Sequence, residues 1–197
     1  MSNHYFVNQT DIKEKTYEIK VELNGKFYRF FGGSGVFSKR QIDFGTLFLI
    51  NNLDLTNEGT FLDLGAGYGP VGIIVKKTFE NLDVHQVDIN RRAVQLCKKN
   101  SQLNEVSTNC YYSDGFSEIK INFDYIALNP PIRAGKKIVY KLYDQAYENL
   151  NVSGSFWVVV RKRQGAASHL AYLTKIFNNA TIIAKKHGYF VIKMKKT

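Results

Sequence analysis

The sequence predicts an α/β fold built on a doubly wound, mainly parallel sheet, and three observations carry that expectation. From Thr60 onward, short apolar runs rich in β-branched residues alternate with stretches of helical periodicity. A glycine-rich turn, Asp63-Leu64-Gly65-Ala66-Gly67-Tyr68-Gly69, joins the first strand-like run to the first helix. The tail then leaves the alternation for two strand-like runs around His187-Gly188, which read as an antiparallel C-terminal hairpin at the sheet's edge.

Taken in order, TYEIKVEL (16–23) and KFYRFF (26–31) flank Asn24-Gly25, a strong N-terminal β-hairpin signal. GGSGVFS (32–38) reads as a flexible or close-packed loop, and DFGTLFLINNL (43–53) has helical periodicity. The strands of the alternation are TFLDL (60–64), LDVHQV (82–87), VSTNCYY (106–112), FDYIALN (123–129) and SFWVVVR (155–161). Helices are expected between them at 70–80, 91–103, 137–150 and 166–177, and the tail hairpin pairs ATIIAKK (180–186) with YFVIKMK (189–195). No repeat or low-complexity linker interrupts the chain. A single domain over 1–197 is expected, with 1–58 a hairpin-and-helix extension and 59–197 the catalytic core.

Composition narrows the function. The 197 residues carry 27 Lys and Arg against 17 Asp and Glu, a net charge of +10 that suits a polyanionic partner, nucleic acid by default. Lysines on solvated faces would give the same count. No apolar run has the length of a membrane span, and Met1–Thr10 lacks signal-peptide architecture, so a cytoplasmic chain is expected. Cys97 and Cys110 show no metal-ligand spacing and no reason to pair. His4, His85, His169 and His187 form no constellation with a nucleophile or ligand, so no metal is expected.

In open α/β sheets ligands bind beyond the carboxyl ends of the strands, where every motif of this chain falls. Glycines at 65, 67 and 69 let a backbone approach a ligand closely. Asp88, 19 residues after Gly69, ends the second strand where a carboxylate accepts both hydroxyls of a ribose. A dehydrogenase prefers GxGxxG, whereas this is GxGxG behind an acid. That variant resembles the first motif of class I S-adenosylmethionine-dependent methyltransferases. The resemblance implies a Rossmann-like class I methyltransferase sheet with S-adenosylmethionine as cofactor. It places Asp63 near the cofactor's amino-acid end and Gly65, Ala66, Gly67 and Gly69 along its methionine and ribose. Asp88 and Ile89 would meet the ribose, and Ser113 with Asp114 the adenine, although Ser113-Asp114-Gly115 reads almost as well as a polar turn.

Asn129-Pro130-Pro131-Ile132 follows the fourth strand and answers to a different chemistry. Two prolines remove two backbone donors and fix two φ angles, and the first pushes Asn129 into extended geometry. Asn129 Oδ1 and the Pro130 carbonyl thereby become two fixed acceptors, each able to take one N–H of an amine. The motif resembles that of methyltransferases acting on planar amino nitrogens, whose lone pair is delocalised and must be turned toward the methyl donor. Members acting on adenine or glutamine usually carry an aromatic at the fourth position. Ile132 offers no π face.

The fuller set is GVFS (35–38), DLGAGYGP (63–70), VDINRRA (87–93), SDG (113–115), NPPIRAGK (129–136) and RKRQGA (161–166). It resembles bacterial 16S rRNA guanine-N2 methyltransferases of the RsmC type from about Tyr5 onward. The resemblance implies transfer of a methyl group to an exocyclic amine of an RNA base, with 16S rRNA or the small ribosomal subunit as partner. The best-known members of that family carry an additional, degenerate domain for which this chain is expected to have no room. Phe37, beside Ser38, is placed to wall the cofactor or face the base, or simply to pack. Arg133, Lys136, Lys162, Arg163 and Gln164 are placed on the rim to hold phosphates, or are solvated. Arg91 and Arg92 open a helix, where cations oppose the dipole. Rival readings are a protein-glutamine or DNA-adenine amino-methyltransferase, which Ile132 disfavours, and a non-catalytic RNA-binding or assembly module. Intact Asp63, Gly65, Gly67, Asp88, Asn129 and Pro130 count against the last.

Overall fold

A computed structural model describes residues 16–33 and 41–197 of the chain. Strands β1 (Thr16–Leu23) and β2 (Lys26–Gly33) pair antiparallel, closed by Asn24 and Gly25 at φ of 51° and 73°. Two consecutive positive φ angles match the right-handed twist of the strands, which is why Asn-Gly suits this turn. Helix α1 (Phe44–Ile50) follows, then β3 (Thr60–Leu64), α2 (Pro70–Thr78), β4 (Asp83–Asp88), α3 (Arg91–Leu103) and β5 (Asn109–Tyr112). The second half runs β6 (Phe123–Leu128), α4 (Lys136–Glu148), β7 (Leu150–Arg161), α5 (Ala166–Phe177), β8 (Thr181–Lys186) and β9 (Tyr189–Lys195).

The main sheet has the order β5-β4-β3-β6-β7-β9-β8. Its first five members are parallel, and β9 lies antiparallel to both β7 and β8. The chain moves outward from β3 to β5, then returns to the other side of β3 with β6. That reversal puts the topological switch point at the carboxyl ends of β3 and β6, where a crevice opens. Apolar side chains cover both faces. Phe123, Phe156, Tyr143 and Phe177 fill the side under α4 and α5, and Leu49, Phe61, Val71 and Trp157 fill the side under α1 and α2.

The N-terminal hairpin is held to this body by a third apolar cluster and by two asparagines one helical turn apart. Ile19, Tyr28 and Phe30 pack with Ile73, Ile74 and Leu96. Asn104 accepts from the Arg29 N–H at 3.0 Å and donates to its carbonyl at 2.6 Å. Asn100 accepts from the Phe31 N–H at 2.7 Å and donates to Phe31 O at 3.0 Å. A strand edge that would stay unpaired is thereby satisfied by side chains of α3. Asn100 also donates to Tyr68 O at 2.8 Å, which ties the hairpin to the glycine turn.

Several boundaries differ from expectation. Gly32 and Gly33 belong to β2 rather than to a loop, since they pair with Tyr17 and Thr16. The α1 helix ends at Ile50, capped at Asn51, short of residue 53. The β5 strand starts at Asn109, where its pairing with β4 begins opposite His85. The β7 strand begins at Leu150, five residues early. Ser153 turns through φ 68° and a bulge opposite β6 lets pairing resume at Ser155. Cys97 and Cys110 do approach: their sulfurs are 2.9 Å apart as free, buried thiols between α3 and β5, a proximity that spacing along the chain does not disclose. Among the described residues no helix is long and apolar enough to cross a membrane, and no cluster of His, Cys, Asp or Glu is built to hold a metal ion.

Removing Asn100 leaves two carbonyls and one N–H without their side-chain partner. Asn100→Ala is expected to lower unfolding free energy by about 2–4 kcal/mol, measured by urea titration. Faster hydrogen exchange at the Phe31 amide should accompany it.

Candidate active site

A cavity of about 430 Å³ opens at the carboxyl ends of the central strands. One end is the glycine turn. Gly65, Gly67 and Gly69 take φ of 74°, 59° and 94°, a region that L side chains rarely enter, and no neighbour lies within 4 Å of a Cβ built at Gly67. The turn's amides are anchored to the sheet: Gly65 and Ala66 both donate to Val87 O at 2.9 Å. Two carboxylates complete the anchorage. Asp88 accepts from Gly67 N at 2.9 Å and from Asn90 N at 2.8 Å. Asp63 accepts at 3.1 Å from the N–H of Gly72, one of the donors left unpaired at the start of α2.

Asp63 is 3% exposed. Burial pushes its carboxyl up to about 7, against the pull of the Gly72 N–H, and the nearby Asp88 charge adds to the rise. Burial likewise raises Asp88, with the Asn90 and Gly67 amides opposing. Both acids therefore stand ready for a cationic or hydroxyl-bearing ligand that would favour the ionised form. Ala66, Ile89 and Ser113 line the same end, together with the exposed Asp114. The Ser113 hydroxyl is engaged by its own turn, donating to Gly115 O at 2.8 Å and accepting from Glu118 N at 3.2 Å.

The other end is built by Asn129-Pro130-Pro131-Ile132, all of which line the cavity. Pro131, at φ −74° and ψ 72°, closes a tight turn in which Ile132 N donates to Pro130 O at 2.8 Å. A carbonyl oxygen has two lone pairs, so the Pro130 acceptor keeps one for a substrate. Asn129 reaches across to α1. Its Nδ2 donates to Thr46 Oγ1 at 3.0 Å and to Asp43 Oδ2 at 3.5 Å.

Asp43, Thr46, Arg161 and Tyr189 also line this end, and none was anticipated. Asp43 before an apolar periodic run is an N-cap signal, and it does cap α1 by accepting from Thr46 N at 3.2 Å. Its nearness to Asn129, 86 positions along the chain, has no sequence signature. Of the expected basic rim, Arg133 and Arg163 line the cavity. Lys162 instead lines a neighbouring hollow with Arg161, Arg163 and His187. Lys136 lies over the Tyr140 ring at 5.1 Å, outside the cavity, and Arg91 lies over Tyr112 at 4.3 Å. Phe37 and Ser38 fall outside the described residues.

The raised Asp63 pKa has a sign that stability measurements can read. Between the usual carboxylate value of 3.8 and about 7 the folded chain holds a proton that the unfolded chain has lost. Asp63 therefore makes the ligand-free protein less stable as pH rises through that window, and adds no further slope above it. Asp63→Asn keeps an acceptor for Gly72 without the charge. Relative to this variant, wild type is expected to lose on the order of 3 kcal/mol between pH 4.5 and 8, followed by urea unfolding.

The chain is similar to known proteins in sequence and in fold. Residues 28–193 match the family described as the methyltransferase small domain. An uncharacterized Bacillus subtilis protein, YbxB, is 38% identical over the full length of both chains. Ribosomal RNA small subunit methyltransferase C of Haemophilus influenzae is 33% identical over 82% of this chain and 49% of its own, so the chain spans about half of that relative. Among solved structures, the T. thermophilus 16S rRNA N2 G1207 methyltransferase (RsmC), in complex with AdoMet and guanosine, superposes with a TM-score of 0.84. It is 23% identical and covers 92% of this chain and 51% of its own, a likeness that establishes the shared fold. The chain therefore belongs to the methyltransferase small domain family, as an S-adenosylmethionine-dependent methyltransferase.

Proposed function

We propose that the protein methylates an exocyclic amine of an RNA base, with guanine N2 of small-subunit 16S rRNA as the best-supported acceptor. The observation that carries this reading is the orientation of Asn129. Its Nδ2 is engaged by Thr46 and Asp43, which leaves Oδ1 as an acceptor alongside the Pro130 carbonyl. Two acceptors on a stiff loop suit a nucleophile with two N–H bonds. The names of the relatives and the net charge of +10 support RNA as its carrier.

The cavity fits S-adenosylmethionine on chemical grounds. That molecule presents a positively charged sulfur, an ammonium group and two ribose hydroxyls, and the turn end of the cavity offers Asp63, Asp88 and Asp114. Asp88 would accept from the ribose hydroxyls, Asp114 from the adenine amine, and the backbone at Gly65–Gly67 would lie against the methionine portion. When bound, the cofactor supplies an electrophilic methyl group. Asn129 Oδ1 and Pro130 O would each hold one N–H of the acceptor, turn its lone pair toward that methyl and stabilise the positive charge growing on nitrogen. Ile132 would pack against the base, and Arg133 and Arg163 would meet flanking phosphates, with Lys136 and Lys162 further out. On this reading the chain works in the cytoplasm as one domain, on 16S rRNA or an assembling small subunit.

Transfer of a labelled methyl to total RNA, DNA and protein, followed by nucleoside digestion, tests the assignment. N2-methylguanosine in the small-subunit rRNA is expected. Label in glutamine or N6-methyladenine would replace it with a rival. Asn129→Ala should cut turnover on the order of 100-fold while changing cofactor affinity far less.

Cofactor binding is tested separately at the other end of the cavity. Asp88→Ala is expected to weaken S-adenosylhomocysteine by about 1.5–3 kcal/mol in calorimetry, as loss of a charged hydrogen bond does. Unchanged affinity in a folded variant would remove Asp88 from the site.

A further inference from the structure

The two ends of a carboxamide are alike in shape and opposite in chemistry. Were Asn129 rotated by half a turn, the loop would present a donor to the incoming amine, and one of its two N–H bonds would face another N–H. The prolines stiffen the backbone around Asn129, but the terminal torsion of an Asn is soft and roughly two-fold. Whatever selects its rotation must lie outside its own loop.

That lock comes from the start of α1. Thr46 Oγ1 accepts from Asn129 Nδ2 at 3.0 Å, and Asp43 Oδ2 lies 3.5 Å from the same nitrogen. An ionised carboxylate can only accept, so the alternative rotation would set Oδ1 against a negative oxygen. Asp43 is itself held by the Thr46 N–H at 3.2 Å, with the Tyr189 ring at the head of β9 packed close beside it across Gly45. Thr46 is 7% exposed, which limits competition from water. Gly45 lies between the two. A Cβ there would stand 2.7 Å from Tyr189 Cε1 and 2.9 Å from Asp43 Oδ2, too close for either to remain in place. Each residue of Asp43-Phe44-Gly45-Thr46 except the exposed Phe44 therefore has a steric or hydrogen-bonding reason tied to Asn129 or its holder.

We infer that Asp43 and Thr46 are positioning residues that hold the Asn129 carboxamide with its oxygen toward the substrate, so that the site takes an N–H-bearing nucleophile and disfavours one that presents an acceptor there. The inference rests on the amine reading of the site for its catalytic consequence, but the lock itself is a property of the protein alone.

Three substitutions separate the lock from simple support of the fold. Thr46→Val keeps the shape and removes the acceptor, Thr46→Ser restores the acceptor, and Asp43→Asn keeps a cap for α1 while removing the charge. With small-subunit rRNA as acceptor, Thr46→Val and Asp43→Asn should lower kcat by on the order of 10–100-fold, and Thr46→Ser should recover most of it. S-adenosylhomocysteine affinity and the unfolding midpoint should stay near wild type. Independently of any acceptor, the Asn129 side-chain amide hydrogens, followed by NMR, should exchange slowly in wild type and faster in Thr46→Val. Equal exchange in the two proteins, or a Thr46→Val enzyme with wild-type kcat, overturns the inference. A wild type that methylates no RNA amine counts against the substrate reading instead, and the exchange comparison then decides the lock by itself.

Discussion

Two carboxylates at the ends of neighbouring parallel strands hold the glycine turn, and the rest of the site is arranged around them. The register of β3 against β4 brings Asp63 and Asp88 to one edge of the sheet, where each receives a backbone N–H from the turn or from the helix it opens. A segment with three glycines in the left-handed region loses much conformational entropy on ordering, and side-chain and backbone anchors must offset that loss. Burial is costly to both acids, as their raised pKa values show. A carboxyl pushed to about 7 in the ligand-free protein is a poor choice for stability alone. It is a sensible one where a positively charged ligand restores the ionised form, so the same feature that weakens the empty fold favours the occupied one.

The opposite end of the cavity depends on contacts of another kind. The glycine turn is held largely by residues within 22 positions of it, whereas Asn129 is oriented from 83 and 86 positions away. Helix α1 is short and caps itself with Asp43, and it is kept against the sheet by Leu49, which packs with Trp157 and Val191. The apolar contact sets the helix's place, and the polar contact at its first turn uses that place.

This difference in range explains what could be read from the sequence. Alternating strands and helices, the Asn-Gly hairpin and the glycine turn with Asp63 and Asp88 rest on local periodicity, turn chemistry and spacing along a βαβ unit, and Asn129-Pro130 on a contiguous motif at a strand end. Their positions held, with small differences at the ends. What escaped depends on tertiary pairing. Residue 150 is expected to end a helix and 151–154 to precede the strand at 155, yet the bulge and the bonds between Ser153 N and Lys196 O and between Lys196 N and Gly154 O keep them in β7. Cys97 and Cys110 meet only because α3 crosses β5. Asp43 and Thr46 looked like a helix start and nothing more. Lys136 is expected on the rim, and the start of α4 sets it over the Tyr140 ring outside the cavity.

Charge and selectivity are consequently divided between different parts of the cavity. Arg133, Arg161 and Arg163 lie at the end that would face a substrate, while Asp63, Asp88 and Asp114 lie at the turn. Arginines meeting phosphates add affinity in proportion to the counterions released, and they do so for any RNA sequence. Discrimination must come from groups that touch the base, and on the proposed RNA acceptor those would be Asn129, Pro130 and Ile132. None stacks, so the binding free energy that an aromatic fourth residue would contribute has to come from elsewhere. The Arg161 guanidinium already lies over the Tyr189 ring at 4.5 Å, with Phe44 against the same ring at 5.2 Å. A planar cation backed by aromatics is a surface on which a base can stack whatever its sequence. An enzyme built this way would hold nucleic acid broadly and choose its atom narrowly, through two acceptors whose orientation is fixed from outside their own loop.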